Sequence, residues 1–164
     1  MNTEQLLFED FLAFLETAAP SCMGFVTQAH GKLTEMGCKF KVKSTKAFPF
    51  QVAYTMPNSR KGILGLRLRK SGLKARVTIV DPASHSDILC RLPASMIAQL
   101  EKKNACENLA GGGKCMEKCV GYDFHIGETH YQKCRFSCFE FDVNDESIPF
   151  FNEMLECEIV ERDK

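Results

Sequence analysis

The chain has 164 residues, with 21 Lys and Arg against 21 Asp and Glu, 45% hydrophobic residues and 26% charged ones. That is the length of one ordinary domain and the composition of a globular chain, which excludes intrinsic disorder and a disulfide-dependent mini-protein. Apolar runs such as Phe11-Leu12-Ala13-Phe14-Leu15 fall far short of the roughly 18 residues of a membrane span. The opening Met-Asn-Thr-Glu-Gln has no positive n-region, so a cytoplasmic protein with no membrane partner is expected.

Thr3 is a good N-cap ahead of Leu6, Leu7, Phe8, Phe11, Leu12, Phe14 and Leu15, whose spacing predicts a helix closed by Pro20. A second helix is expected over Ser21–Met36, with Phe25, Val26, Ala29, Leu33 and Met36 on one stripe and Gly37 as its stop. The period then changes to two. Phe40 and Val42 alternate with lysines, and Phe48, Phe50, Val52 and Tyr54 alternate with small or polar residues. Leu64, Leu66 and Leu68, and then Leu73, Ala75, Val77 and Ile79, repeat the pattern. Pro57-Asn58-Ser59 and Ser71-Gly72 supply turns between four consecutive antiparallel strands. Their apolar face lies under the two helices.

Asp81-Pro82 ends this sheet, and short helices are expected over Ser84–Cys90 and Ala94–Lys103. Asn104–Gly121 reads as an irregular loop, Tyr122–Ile126 and Tyr131–Val143 as two strands, and Ser147–Glu161 as an acidic amphipathic helix. The expected fold is a single α+β domain. It has an antiparallel sheet of about four to six strands, terminal helices on one face and a cysteine-rich loop. Along it run a helix pair (1–36), a basic sheet (37–80), short helices (81–103), a cysteine loop with hairpin (104–143) and a final helix (144–164).

Charge is segregated. Gly37–Val80 holds eleven bases and no acid, leaving all 21 acids and ten bases to the rest. The alternation puts Lys39, Lys41, Lys43, Arg67, Arg69, Lys74 and Arg76 on one sheet face, a surface suited to an anionic ligand or nucleic acid. The competing account is a solvated face, or one docked on the chain's own acidic C-terminal helix or a partner's. Sheet readers of single strands use exposed aromatics, whereas Phe40, Phe50 and Tyr54 fall on the other face.

Five of the nine cysteines, Cys106, Cys115, Cys119, Cys134 and Cys138, lie in a C-x8-C-x3-C-x14-C-x3-C pattern. In a cytosolic chain such a cluster calls for a reason other than disulfides, and four thiolates suit a structural zinc. On one continuous strand Cys134 and Cys138 would stand about 13 Å apart. Sulfurs sharing one zinc are about 4 Å apart, so Cys106, Cys115, Cys119 and Cys134 are the expected ligands. His125 and His130 are the reserves. Unmetallated core thiols, a redox disulfide pair and an iron–sulfur cluster are the other readings of the same residues. A catalytic zinc needs an open position and a nearby base, and no H-x-E or H-E-x-x-H pattern is present.

Cys22, Cys38, Cys90 and Cys157 sit in apolar patterns and read as core. His30 falls on the polar side of its helix; His85 beside Asp87 on a short helix offers an acid–base pair, with surface placement as the favoured reading. Gly111-Gly112-Gly113-Lys114 is not followed by Ser or Thr, so it reads as a ligand spacer rather than a phosphate loop. No local nucleophile motif can be assembled. The expected function is therefore a non-enzymatic, zinc-stabilised module for an anionic partner, with a thiol- or metal-dependent enzyme or metal carrier as the alternative.

Gly121–Phe136, together with the Gly37–Val42 strand and the N-terminal helix pair, resembles a group of small cysteine-containing bacterial proteins of clostridial type. The group brings no established activity with it. Two helices followed by a curved antiparallel sheet are also distantly similar to the YdhG-like domains, some of them iron-handling or frataxin-like. That likeness implies an α+β fold and metal handling and assigns no site. The chain lacks tryptophan altogether, and hence the Trp-Gly segment of those domains.

Overall fold

A computed structural model describes residues 2–111 and 115–164 of the chain, so Gly112, Gly113 and Lys114 of the expected spacer lie outside the described residues. The first helix, α1 (Thr3–Ala18), is capped one residue earlier than its sequence suggests. Asn2 Oδ1 accepts from the Gln5 N–H at 2.8 Å, while Thr3 is already helical. Pro20–Cys22 form a short 3-10 turn into α2 (Met23–Glu35). Gly37, at φ 85°, then turns the chain into the sheet, a conformation that suits glycine.

Strands β1 (Lys39–Lys43), β2 (Phe50–Thr55), β3 (Gly62–Arg69) and β4 (Gly72–Val77) form an antiparallel meander. A fifth strand, late in the chain, adds to β4 in the order β1-β2-β3-β4-β7, where β7 is Glu140–Asp142. Val42, Val52, Leu66, Ala75 and Phe141 stand side by side across the five strands and are buried. Burying side chains of this size stabilises the fold by about 1.5–3 kcal/mol for each Val, Leu or Phe. The expected α+β architecture is what the chain adopts.

Helix α1 covers β1 and uses Glu4 to occupy the strand's free edge, its carboxylate accepting from the Val42 N–H at 2.8 Å. The final helix, α6 (Ile148–Arg162), lies on the same inner face as α2. Phe151 meets Phe25 at 5.6 Å and Phe141 at 6.2 Å between ring centroids. This removes one account of the basic face. The acidic helix packs behind the sheet, and the acids that reach the basic face, Glu140 and Asp142, come from β7.

Between β4 and β7 run α3 (Ser86–Leu89), α4 (Ala94–Glu101), the single turn α5 (Glu107–Ala110) and a hairpin of β5 (Tyr122–Ile126) and β6 (Thr129–Lys133). The strand expected over Tyr131–Val143 is two strands. It stops at Lys133, and the Ser137 and Cys138 N–H groups turn back onto the Cys134 carbonyl, at 3.3 and 3.0 Å, before β7 begins. Among the described residues no helix is long and apolar enough to cross a membrane.

His30 and His85 differ from their sequence reading. His30 stacks on Phe8, with centroids 3.8 Å apart, and its Nδ1 lies 2.9 Å from the Tyr54 hydroxyl; burial lowers its pKa. His85 is 1% exposed, and its partner is Glu158 of α6 rather than Asp87, at 2.8 Å. An ionised carboxylate only accepts, so His85 Nε2 carries the donated proton. The other Glu158 oxygen accepts from Val80 N–H at 3.0 Å and Arg162 Nε at 2.9 Å. Cys22 and Cys38 are core residues as expected, but Cys90 is exposed and Cys157 half-buried.

Candidate functional site

The cysteine segment is built around Cys106. Its N–H donates to the Gln132 carbonyl at 2.9 Å, Ala105 pairs with Lys133, and the Cys134 N–H donates to Asn104 at 2.9 Å. Cys106 and Cys134 therefore sit on adjoining extended segments. The turn α5 then carries Asn108, whose Nδ2 reaches the Met116 and Cys119 carbonyls, both at 2.9 Å. That one side chain ties the Cys115–Cys119 stretch back toward Cys106. Gly121 completes the approach: a β-carbon there would overlap Cys106 Sγ and lie 2.5 Å from Cys106 Cβ.

The thiols consequently sense one another. Desolvation raises the Cys119 pKa. The charge of Cys115 and a hydrogen bond with it, followed by the charges of Cys106 and Cys134, raise it further. Removing protons from this cluster crowds negative charge, which a bound cation would relieve. The donors form a loose neighbourhood, however. Among the described residues no three Cys, His, Asp or Glu side chains are already arranged to hold a metal. Closing a tetrahedral shell requires the Cys115–Cys119 stretch to settle further onto Cys106 and Cys134.

Cys138 stands apart for a reason other than the expected one. Because the strand breaks at Cys134, extended spacing does not separate the two residues. Instead Cys138 is 0% exposed in the main core, and burial drives its pKa far up, the opposite of what a thiolate ligand needs. The reserve histidines stack on each other on the hairpin, 4.5 Å between centroids, with His130 Nε2 paired to Asp123 at 2.6 Å. All nine cysteines are free thiols.

Comparison with protein-family models, curated proteins and solved structures finds no match for this chain. What it does must be argued from its own geometry.

The pleat puts all seven expected bases on the outer face. Lys43, Gln51, Arg67, Lys74 and Asp142 stand side by side, as do Lys41, Ala53, Gly65, Arg76 and Glu140. They are not equally free. Arg67 is paired with the buried Glu140, Lys74 with Asp142 at 3.5 Å, and Arg76 donates to the Phe136 carbonyl at 2.5 Å. The ion pairs among the described residues include none for Lys39, Lys41, Lys43 or Arg69. Three of these four lie on the edge strand β1, where lysines also discourage a second chain from pairing.

Phe48 corrects the sequence reading. Pro49 separates it from β2, and its ring faces outward beneath the guanidinium groups of Arg69 and Arg67, 4.1 and 4.5 Å from its centroid. Asn108, Gly121, Phe136 and Glu140 escaped the sequence analysis. Only Gly121, a glycine abutting the strand pattern of Tyr122–Ile126, carried a readable signal, that of close backbone approach.

Proposed function

We propose that the protein is a metal-stabilised binding module, in which Cys106, Cys115, Cys119 and Cys134 hold a structural zinc and the outer sheet face binds an anionic partner. The metal reading rests on the ties that bring the four thiols' segments together: the bonds that lay Cys106 alongside Cys134, and the Asn108 side chain that holds the Met116 and Cys119 carbonyls. Four soft sulfur donors match zinc, and the metal would supply folding energy that the polar loop lacks. The anionic reading rests on Lys41, Lys43 and Arg69, which share one face and have no described acidic partner.

The C-x3-C spacing of the free thiols Cys115 and Cys119 supports a second reading, a redox pair in place of a metal site. Elemental analysis of untagged protein, with an absorption spectrum and a thiol count on the same sample, separates them. One zinc per chain without visible absorption is expected. Iron with a visible band would instead support a carrier or an iron–sulfur protein, and two missing thiols a disulfide. Nine reactive thiols and no metal would overturn the metal reading. For the face, heparin binding that weakens with salt and is lost in Lys43→Glu/Arg69→Glu is expected, and binding indifferent to both would overturn it.

A further inference from the structure

We propose that the outer sheet face binds single-stranded nucleic acid, seating one base in the depression over Ala53 and Gly65 beside Phe136. The proposal rests on the reading of this face as an anion-binding surface and names the partner. Ala53 and Gly65 are cross-strand neighbours with almost no side chain between them, so the middle of an otherwise long-chained face is hollow. The hollow measures about 310 Å³ and is walled by Gln51, Arg67, Arg76, Phe136 and Glu140.

Three features of that wall favour a flat heterocycle over a bare anion. Phe136 is 59% exposed and Arg76 donates to its backbone carbonyl, so an open aromatic ring is anchored at its main chain beside the hollow. Such a ring stacks any base, and this sheet had otherwise turned its strand aromatics inward. Glu140 is a buried acceptor in the same wall, a group that opposes an inorganic anion but suits an amino or imino edge. Arg67 and Ser137 line the hollow, and their buried Nε and Oγ have no hydrogen-bond partner among the described residues, so a base edge that draws either side chain outward supplies one. Around the hollow, Lys41, Lys43 and Arg69 provide the charge that a phosphate backbone needs.

A duplex hides its base faces, so single strands should be preferred. The test measures anisotropy of a labelled short single-stranded RNA, the same sequence as a duplex, and heparin as a polyanion without bases. Phe136→Ala removes the stacking ring. Gly65→Val fills the hollow without changing charge, and its new β-carbon would meet nothing closer than Arg76 at 3.9 Å, so the fold should tolerate it. Each variant should weaken single-strand binding by at least about five-fold and leave heparin binding unchanged. Lys43→Glu/Arg69→Glu should weaken all three. If single strand, duplex and heparin bind alike and neither Phe136→Ala nor Gly65→Val matters, the base site is wrong while the anionic face survives. Polyglutamate binding more tightly than RNA would overturn the choice of partner. If no polyanion binds at low salt, the anionic reading fails and takes the base site with it.

Discussion

Cys106 Sγ occupies the space over Gly121 that a β-carbon would fill. The contact couples the start of the cysteine segment to its end, because Cys106 opens the loop and Gly121 leads into β5. A Gly121→Ala variant must push Cys106 or the Lys133 carbonyl, 3.1 Å from the new carbon, out of place. Crowding of this kind costs about 1–3 kcal/mol, so the thermal midpoint should fall. Zinc content should fall with it, measured on the same preparation. An Ala variant with native stability and full metal would show that Cys106 has room to spare.

Cys134 and Cys138 should separate cleanly on substitution. Cys138→Ser buries a hydroxyl in the apolar core, costing about 1–3 kcal/mol in chemical denaturation while leaving metal content intact. Cys134→Ser should lower metal content and leave the stability of metal-free protein nearly unchanged, since Cys134 is only half-buried. The opposite pattern would exchange the two roles.

Which parts of this could be read in the sequence follows from range. The helices and the meander depend on local periodicity and on turns, and Val42, Val52, Leu66 and Ala75 declared their face by alternation alone. The break at Cys134 was hidden because Phe139 and Phe141 continue an apolar pattern that looks extended. His85 misled for a similar reason: Asp87 is its neighbour in sequence, while its partner Glu158 lies 73 residues away. Phe136 gave no warning either, since an exposed aromatic in a turn differs from a buried one only through its surroundings. The bases were legible, but the acids that β7 lays beside them were not.

Arg67 and Arg69 look equivalent along β3 yet should behave differently. Arg67 faces the nearly buried Glu140, so Arg67→Ala leaves a carboxylate without its countercharge, a loss of about 3–5 kcal/mol for a fully buried pair and less here because Arg67 is partly exposed. Arg69→Ala removes only a guanidinium stacked on Phe48 and should cost under about 1 kcal/mol. Urea titration of both variants decides the matter, and equal midpoints would mean that Glu140 is satisfied without Arg67.

Glu158 makes the fold sensitive to acid. Burial alone would raise its pKa, but hydrogen bonds from His85, Arg162 and the Val80 N–H outweigh that and hold the carboxyl below its ordinary 4.5. A carboxyl depressed on folding adds stability that is fully present above its unfolded pKa and is lost as pH falls through the folded one. Stability should therefore be flat from neutrality to about pH 5 on this account and decline below the ordinary carboxylate value. Glu158→Gln should be less stable at neutral pH and should lose less on acidification. Parallel curves for the two proteins would assign the acid sensitivity to other carboxylates.

Metal removal should reach the sheet face through Phe136. The ring lies two residues after Cys134, in the turn closed by the Cys138 N–H on the Cys134 carbonyl. Phe136 also lines two hollows, one over Gly65 and one beside Met116, Cys119 and Val120. The proposed metal, by holding Cys134 and Cys119 together, would fix the chain on both sides of Phe136, and chelation would free it. The bases on β1 and β3 sit on strands that do not depend on the loop. Chelated protein should therefore bind heparin as before but lose most of its preference for single-stranded over duplex RNA, and regain it when zinc is restored. A preference unchanged by chelation, in protein shown to have contained zinc, would mean that Arg76 alone positions Phe136.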